Sequence, residues 1–242
     1  MLPSAPVFKA LTTRQAHLSV KTACADLVRF HPDVSMLTGI APGAAVDTKA
    51  VYATLAREML PKELAGLLLE APYEPQEGLE YVMGAEVFEM EHDGTPVVAA
   101  AVPAGVEVVP LGDDDVPEML KLTALTKPGP FSKRTHEMGS YVGIKQDGQL
   151  VAMAGERMRI PAAEDGSAPA FSEVSAVCTH PQHTGKGYAR LLMSTVMLGI
   201  QARGERCFLH VKCENTSALG LYERLGFRST KILHFAVLRS VL

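Results

Sequence analysis

The stretch from Phe171 to Ala189 restricts the fold of this chain more than any other part of the sequence. Its sequence, FSEVSAVCTHPQHTGKGYA, starts with a run that fits a buried strand, turns at Pro181 and reaches two glycines, Gly185 and Gly187. Apolar residues then recur at helical spacing as far as Ile200. Because the first N–H groups of a helix have no partner inside it, this arrangement predicts a site for a phosphate group.

Two known nucleotide-binding motifs do not fit this stretch. A P-loop needs a glycine five residues before its Gly-Lys pair and a serine or threonine after it, but His180 and Gly187 hold those positions. The dinucleotide fingerprint needs a third glycine, where this chain has Arg190. A glycine-rich loop before a helix is also common as a plain tight turn, so residue types alone leave both interpretations open.

The composition is typical of a soluble globular protein. Of the 242 residues, 47% are hydrophobic and 21% are charged, with a net charge of −4. The absence of a basic run argues against nucleic-acid binding, and the longest apolar run, residues 97–106, is too short to span a membrane. The four cysteines lack zinc-ligand spacing, so we expect no metal. They fit reduced thiols in a cytoplasmic protein, and the first residues lack a signal-peptide pattern.

Residues 1–105 predict a small α/β region without a glycine-rich loop. A helix is expected over Lys49–Met59 with Thr48 as its N-cap. Short strands are expected over Leu64–Leu69 and Tyr81–Met90. The stretch of small residues, prolines and glycines from Val97 to Gly105 is interpreted as a linker.

Residues 106–242 predict the element order β-α-α-β-β-β-α-β-α-β. Asp147-Gly148 is a strong hairpin signal between two strands. Asp113–Asp115 could form a metal site, but N-capping of the following helix is the favoured interpretation. This region is therefore expected to form a separate domain.

Two segments of this region resemble the GNAT superfamily of acyl-CoA-dependent N-acetyltransferases. They are V-C-T-x-P-x-x-T-G-K-G-Y-A at Val177–Ala189 and L-H-V-K-C-E-N-T-S-A-L-G-L-Y-E-R-L-G-F at Leu209–Phe227. The resemblance is strongest to the branch that includes glycine N-acyltransferase-like proteins. It implies an α/β (α+β) GNAT fold with a mixed central sheet and flanking helices in residues 106–242. We hypothesise that residues 1–105 are a degenerate copy of that fold.

The resemblance also implies a CoA site. Backbone N–H groups of the loop would hold the pyrophosphate, at Thr184, Gly185, Lys186, Gly187, Tyr188 and Ala189. The strand end at Val177, Cys178 and Thr179 would hydrogen-bond the pantetheine arm like an added strand, and one of its amides would polarise the thioester carbonyl. Asn215 would contact the pantetheine or only cap its helix. Thr184 departs from the usual arginine or glutamine of the family, so Lys186 or Arg190 is expected to supply the positive charge.

The same resemblance suggests catalytic residues. Tyr222 would protonate the leaving thiolate as general acid, although a core tyrosine on an amphipathic helix is the alternative. Glu173 would act as base through a water, because period-two geometry places it on one face with Ser175 and Val177; a salt bridge is the alternative. His210 is the second candidate base, although a lone strand histidine is more often a core residue. The acceptor pocket is expected at Thr126–Phe131 with Tyr141.

The sequence therefore predicts an enzyme that transfers an acetyl group from the co-substrate acetyl-CoA to a primary amine by direct attack. The expected partners are acetyl-CoA and a small amine or peptide acceptor, with no nucleic acid and no membrane. The sequence leaves the oligomeric state open, and a homodimer is one possibility. The alternative is a non-catalytic acyl-CoA-binding or protein-interaction module.

Overall fold

Eight strands form the main sheet of the computed structural model, which describes residues 1–43 and 45–242. The strands of the chain are Ser19–Val20 (β1), Leu27–Phe30 (β2), Thr38–Ile40 (β3), Ala65–Leu69 (β4), Leu79–His92 (β5), Val108–Leu111 (β6), Tyr141–Gln146 (β7), Gln149–Ile160 (β8), Phe171–Thr179 (β9), Arg206–Lys212 (β10) and Phe227–Ser240 (β11). The helices are Pro6–Leu11 (α1), Thr48–Glu58 (α2), Val116–Thr126 (α3), Tyr188–Ala202 (α4) and Thr216–Arg224 (α5). The predicted element order of residues 106–242 is confirmed, except that its second helix is a short 3₁₀ turn, Thr135–Met138.

The main sheet has the order β4-β11-β5-β10-β9-β8-β7-β6 and is mixed, as predicted. β9 and β10 pair in parallel, whereas the other neighbours pair antiparallel. The parallel pairing covers only three positions, from Arg206↔Phe171 to Phe208↔Glu173. Beyond Glu173 the two strands continue without pairing, so the sheet opens into a cleft at this point.

Strands from both predicted regions share this sheet. β5 lies between β10 and β11 and pairs with both, and β4 forms the edge next to β11. The sheet therefore crosses the predicted boundary at residue 105. The hypothesis that residues 1–105 are a degenerate copy of the same fold stays a prediction.

A β-bulge interrupts β9 at Ala176. On β8 the partner changes by two residues, from Met153 to Gly155, while on β9 it changes by three, from Cys178 to Ser175. Ala176 has φ 53°, a left-handed conformation that costs an alanine energy and marks the extra residue. The bulge breaks the simple alternation of side chains on which the predicted common face of Glu173, Ser175 and Val177 depends.

Local sequence signals explain most helix boundaries. α4 begins after Gly187 at φ 80° and ends before Gly204 at φ 72°, as predicted. Its inner face buries Leu192, Met193, Met197 and Ile200 completely against the sheet. The predicted cap of α2 is wrong by one residue, because Asp47 accepts the hydrogen bond from the Ala50 N–H (3.1 Å). The carboxylate adds a favourable charge at the helix N-terminus, which the Thr48 hydroxyl lacks.

The acidic stretch before α3 is held by hydrogen bonds within the protein. Asp115 accepts the Gly112 N–H (2.9 Å) and pairs with Lys145, while Asp113 lies 2.7 Å from His136 Nε2. Among the helices that the structure describes, none combines the length and apolarity needed to cross a bilayer.

Candidate active site

A cavity of about 940 Å³ opens where β9 and β10 diverge. Its lining includes most of the residues that the sequence predicts for the site, namely Val177, Cys178, Thr179, Thr184, Gly185, Gly187, Tyr188, Ala189, Asn215 and Tyr222. Lys186 and Glu173 do not line it. The two motifs thus meet at one cavity, although residues 190–208 separate them in the chain.

The glycine loop presents bare backbone at the start of α4. Gly185 and Gly187 have φ of 76° and 80°, and no heavy atom lies within 4 Å of where a Cβ would stand at either position. Glycine is therefore needed for the backbone conformation, and the open space lets a ligand approach the chain. Gly187 supplies no side-chain cap, so the first N–H groups of α4 are free for an anion.

The side chains around the loop differ from the expectation on one point. The Lys186 ammonium lies 3.3 Å from His183 Nδ1, and Lys186 is not part of the cavity lining. Arg190, the other predicted source, lines the cavity. The Thr184 hydroxyl donates to the Pro181 carbonyl (3.1 Å), which leaves its own backbone to face the cavity.

Tyr222 lies on α5 with its ring 6.2 Å from the Phe227 ring, and 9% of the residue is exposed. Burial, together with the nearby Cys178, raises the pKa of Tyr222 to about 12. The hydroxyl therefore keeps its proton at neutral pH and is able to donate it. Asn215 caps the same helix, because its Oδ1 accepts the Ala218 N–H (3.2 Å), and it also lines the cavity.

Glu173 is completely buried and lies behind the cavity wall. Arg157 donates to its two oxygens through Nε (2.7 Å) and Nη2 (2.6 Å), and His210 Nδ1 lies 2.7 Å from Oε1. Both partners line the cavity. Glu173 does not line the cavity, although Ser175 two residues further along β9 does, and the bulge at Ala176 offsets Val177 from both. The catalytic roles of Glu173 and Tyr222 stay predictions.

His210 lies between two carboxylates. Its Nε2 is 3.7 Å from Glu89 Oε2, which is too long for a hydrogen bond but close enough for charge attraction. Neither of these two buried atoms has a hydrogen-bond partner among the described residues. Burial lowers the pKa of His210, but Glu173 and Glu89 outweigh that effect and raise it. Burial likewise acts to raise the pKa of Glu173, yet the pairing with Arg157 and His210 lowers it to about 2.

The far end of the cavity is formed partly by residues that the sequence did not suggest. Of the predicted segment Thr126–Phe131, Thr126 to Pro130 line the cavity, but Phe131 and Tyr141 do not. Tyr141 is buried with its ring 5.8 Å from the Phe131 ring, and it packs on Gly155. Five further lining residues are apolar, and four of them belong to the first 105, namely Leu37, Leu68, Ala85 and Val87, with Phe235 as the fifth. No local motif marks them, because they reach the site only through the strand order.

Comparisons with known proteins agree with this geometry. A family model described as FR47-like protein matches residues 141–235. A protein from Novosphingobium aromaticivorans DSM 12444, assigned to the GNAT family as an acetyltransferase, is 35% identical and has a TM-score of 0.84. The match covers 98% of both chains.

Two further relatives are more distant. N-alpha-acetyltransferase RimI of Mycobacterium tuberculosis is 34% identical over 90 residues, which are 36% of this chain and 51% of that protein, so the match spans about half the length of this curated relative. The GCN5-related N-acetyltransferase from Kribbella flavida, at 18% identity and a TM-score of 0.60, shares the fold over 98% of this chain and 96% of its own.

Proposed function

The chain belongs to the GNAT family of acetyltransferases, and we propose that it transfers an acetyl group from acetyl-CoA to a primary amine by direct attack. One observation carries this proposal: the splayed strands β9 and β10, the glycine loop and Tyr222 all border the same cavity. If the glycine loop were only a structural turn, there would be no reason for it to border the same cavity as an unpaired strand edge and a protonated phenol.

Different residues of the cavity suit the different parts of acetyl-CoA. The unpaired edge of β9 beyond Glu173 offers backbone groups for the pantetheine amides, in the manner of an added strand. The bare N-terminus of α4 and the Arg190 guanidinium suit the pyrophosphate. The volume of about 940 Å³ leaves room for an acceptor beside the thioester, since it lies in the upper range of small-molecule sites.

The proposed reaction is one displacement at the thioester carbonyl. The amine nitrogen forms a C–N bond, and a backbone N–H of the β9 end stabilises the charge on the carbonyl oxygen. The C–S bond then breaks, and Tyr222 donates its proton to the thiolate. Burial raises the pKa of the Cys178 thiol to about 11, so this cysteine is a poor nucleophile and direct attack is preferred over an acyl-cysteine route.

The proton of the attacking amine is proposed to leave through His210. This histidine lines the cavity, whereas Glu173 holds its Nδ1 at 2.7 Å from behind. Glu173 therefore acts as a positioning residue that fixes the ring and stabilises its charged form, and the proton would enter the ring at Nε2, the nitrogen without a hydrogen-bond partner among the described residues. This arrangement keeps the predicted contribution of Glu173 but moves the proton acceptor to His210.

The substitution Tyr222→Phe tests the proposal. With acetyl-CoA and a panel of primary amines, we expect thiol release to fall about 100-fold, while acetyl-CoA binding by calorimetry is unchanged. Tyr52→Phe is the matched control, because Tyr52 is also buried with a pKa raised to about 12 but lies on α2, outside the cavity lining.

The outcomes separate the proposal from its alternative. Acetyl-CoA binding without thiol release in the wild-type protein, for every amine tested, would favour the non-catalytic acyl-CoA-binding module. Equal turnover by Tyr222→Phe and Tyr52→Phe would remove Tyr222 from the mechanism.

The glycine N-acyltransferase-like branch and a cytoplasmic location are further proposals. The motif resemblance supports the branch, and the reduced cysteines support the location.

A further inference from the structure

We propose that the acceptor is a primary monoamine with an apolar body, which lies on a surface formed by Leu68, Ala85, Val87 and Phe235. This inference rests on the proposed function and concerns the other half of the same cavity. We call these four residues the acceptor surface.

Strand register makes the acceptor surface continuous. Phe235 of β11 is paired with Leu68 of β4 on one side and with Ala85 of β5 on the other, so the three side chains share one sheet face. Val87 follows on the same face of β5, two residues beyond Ala85. Three of the four, Leu68, Ala85 and Phe235, are only half-buried. They thus offer apolar area that a ligand in the cavity can still bury.

The same register joins the acceptor surface to the reactive end of the cavity. Val87 is paired with Lys212 of β10, and His210 lies two residues earlier on that strand, paired with Glu89. Alternation places Val87 and Glu89 on the same face of β5, and Lys212 and His210 on the same face of β10. An amine nitrogen near His210 therefore directs the body of its molecule along Val87 and Ala85 towards Phe235.

The charges of the cavity oppose a second ammonium group. Among the described residues, its lining holds no carboxylate and five arginine or lysine side chains, namely Lys127, Arg157, Arg190, Lys212 and Arg224. The phosphates of acetyl-CoA would neutralise those near the start of α4, and Glu173 already pairs with Arg157, but the described lining offers no carboxylate to a second ammonium group. A second ammonium on the acceptor surface would lose its hydration without gaining a partner, so diamines and polyamines are disfavoured.

Hexylamine and 1,6-diaminohexane are a matched pair that tests this inference, because they differ by one terminal amine at nearly constant length. With saturating acetyl-CoA, we expect kcat/KM for hexylamine to exceed that for the diamine at least about 10-fold. The difference should lie in KM, since both present the same primary amine to His210. Equal or better use of the diamine would overturn the proposal.

The variant Leu68→Glu should reverse the preference. A carboxylate on the half-buried edge strand β4 offers a partner for the second ammonium, so KM for the diamine should fall while KM for hexylamine rises. Ile232→Glu is the control, because Ile232 lies on β11, is 48% exposed and is outside the cavity lining. The proposal fails if the two variants have the same acceptor preference.

A binding measurement distinguishes failure of this inference from failure of the proposed function. Calorimetry of hexylamine with the CoA-loaded protein needs no turnover. Binding that Leu68→Glu weakens and Ile232→Glu preserves would uphold the acceptor surface even if no amine were acetylated. Acetyl transfer to other amines without detectable hexylamine binding would overturn the acceptor surface and leave the proposed function standing.

Discussion

At the scale of single residues, the proposed proton path depends on the charge of His210, whose Nδ1 lies 2.7 Å from Glu173. His210 can accept a proton from the amine only when its ring is neutral. Because Glu173 and Glu89 raise its pKa, the neutral form becomes abundant only above the usual histidine value of 6.5. Arg157 is the cation that limits this effect, and Lys231 lies 3.6 Å from Glu89. The dyad therefore titrates as a unit.

We accordingly predict that kcat/KM rises with pH along a limb that lies above pH 6.5. In Glu173→Gln the carboxylate that stabilises the charged ring is gone, so this limb should move to lower pH as the maximal rate falls. In His210→Gln the limb should disappear, with a rate loss of about 100-fold at high pH. Initial rates of thiol release between pH 6 and pH 9 measure both effects.

The use of one acceptor amine with every variant provides the control for this prediction. The acceptor amine also titrates, but the same acceptor is used with every variant, so its contribution is shared. A purely structural role of Glu173 would lower the rate equally at every pH and leave the limb in place. That result would contradict the proton path through His210.

At the scale of elements, the strand-loop-helix from β9 to α4 depends on backbone conformation. Gly187 stands at φ 80° in open space, so Gly187→Ala adds strain without a clash. We expect a loss of about 1 kcal/mol in the free energy of unfolding. We also expect KM for acetyl-CoA to rise about 10-fold, because a methyl group restricts the approach of the pyrophosphate to the backbone.

Gly199→Ala is the matched control, on the exposed side of the same helix. Its added Cβ would meet only Arg203 Nη1 at 4.0 Å, and Gly199 lies in the helix interior. This change should raise stability by about 0.5–1 kcal/mol and leave KM for acetyl-CoA unchanged. Urea denaturation and initial-rate kinetics on the two variants give the comparison. An unchanged KM in Gly187→Ala would contradict a phosphate site at this loop.

The sequence predicted this element well because its signals are local. The glycines, Pro181 and the helical spacing lie within a few residues of one another, and so do the Asp147-Gly148 turn and the Asn215 cap. A salt bridge of Glu173 was among the predicted alternatives, but its partners Arg157 and His210 were not predictable, since they lie 16 and 37 residues away and meet it only through strand register. The bulge was also missed, because nothing about an alanine at position 176 indicates a left-handed backbone.

At the scale of the whole molecule, β5 connects the predicted halves. Its residues 79–92 pair with β11 along nearly the whole length of that strand, and residues 87–91 pair with β10. The Leu2 N–H donates to Glu91 (2.7 Å), and Arg14 pairs with Glu205 (2.6 Å), so the first residues of the chain also contact this part of the sheet. Removing residues 1–105 would therefore break the sheet between two strands rather than detach a neighbouring domain.

We predict that the fragment 106–242 does not fold cooperatively by itself. Without β5, the facing edges of β10 and β11 would expose unpaired N–H and C=O groups together with the buried Phe227 and Leu233. Amide dispersion in a heteronuclear NMR spectrum and a thermal melt measure this directly. A well-dispersed spectrum and a sharp melt for the fragment would contradict the prediction and support an independent domain beginning near residue 106.

Co-expression of residues 1–105 with the fragment tests whether strand complementation is the reason. Residues 93–107 connect β5 to β6 and contribute no strand to the sheet. This connection raises the local concentration of β5, but cutting it removes no strand pairing. The two pieces should therefore associate and recover the melt of the full chain. A version of residues 1–105 that carries Val87→Pro should fail, because proline cannot donate to a ladder in which β5 is paired on both sides. Rescue by that variant would show that β5 does not hold β10 and β11 together.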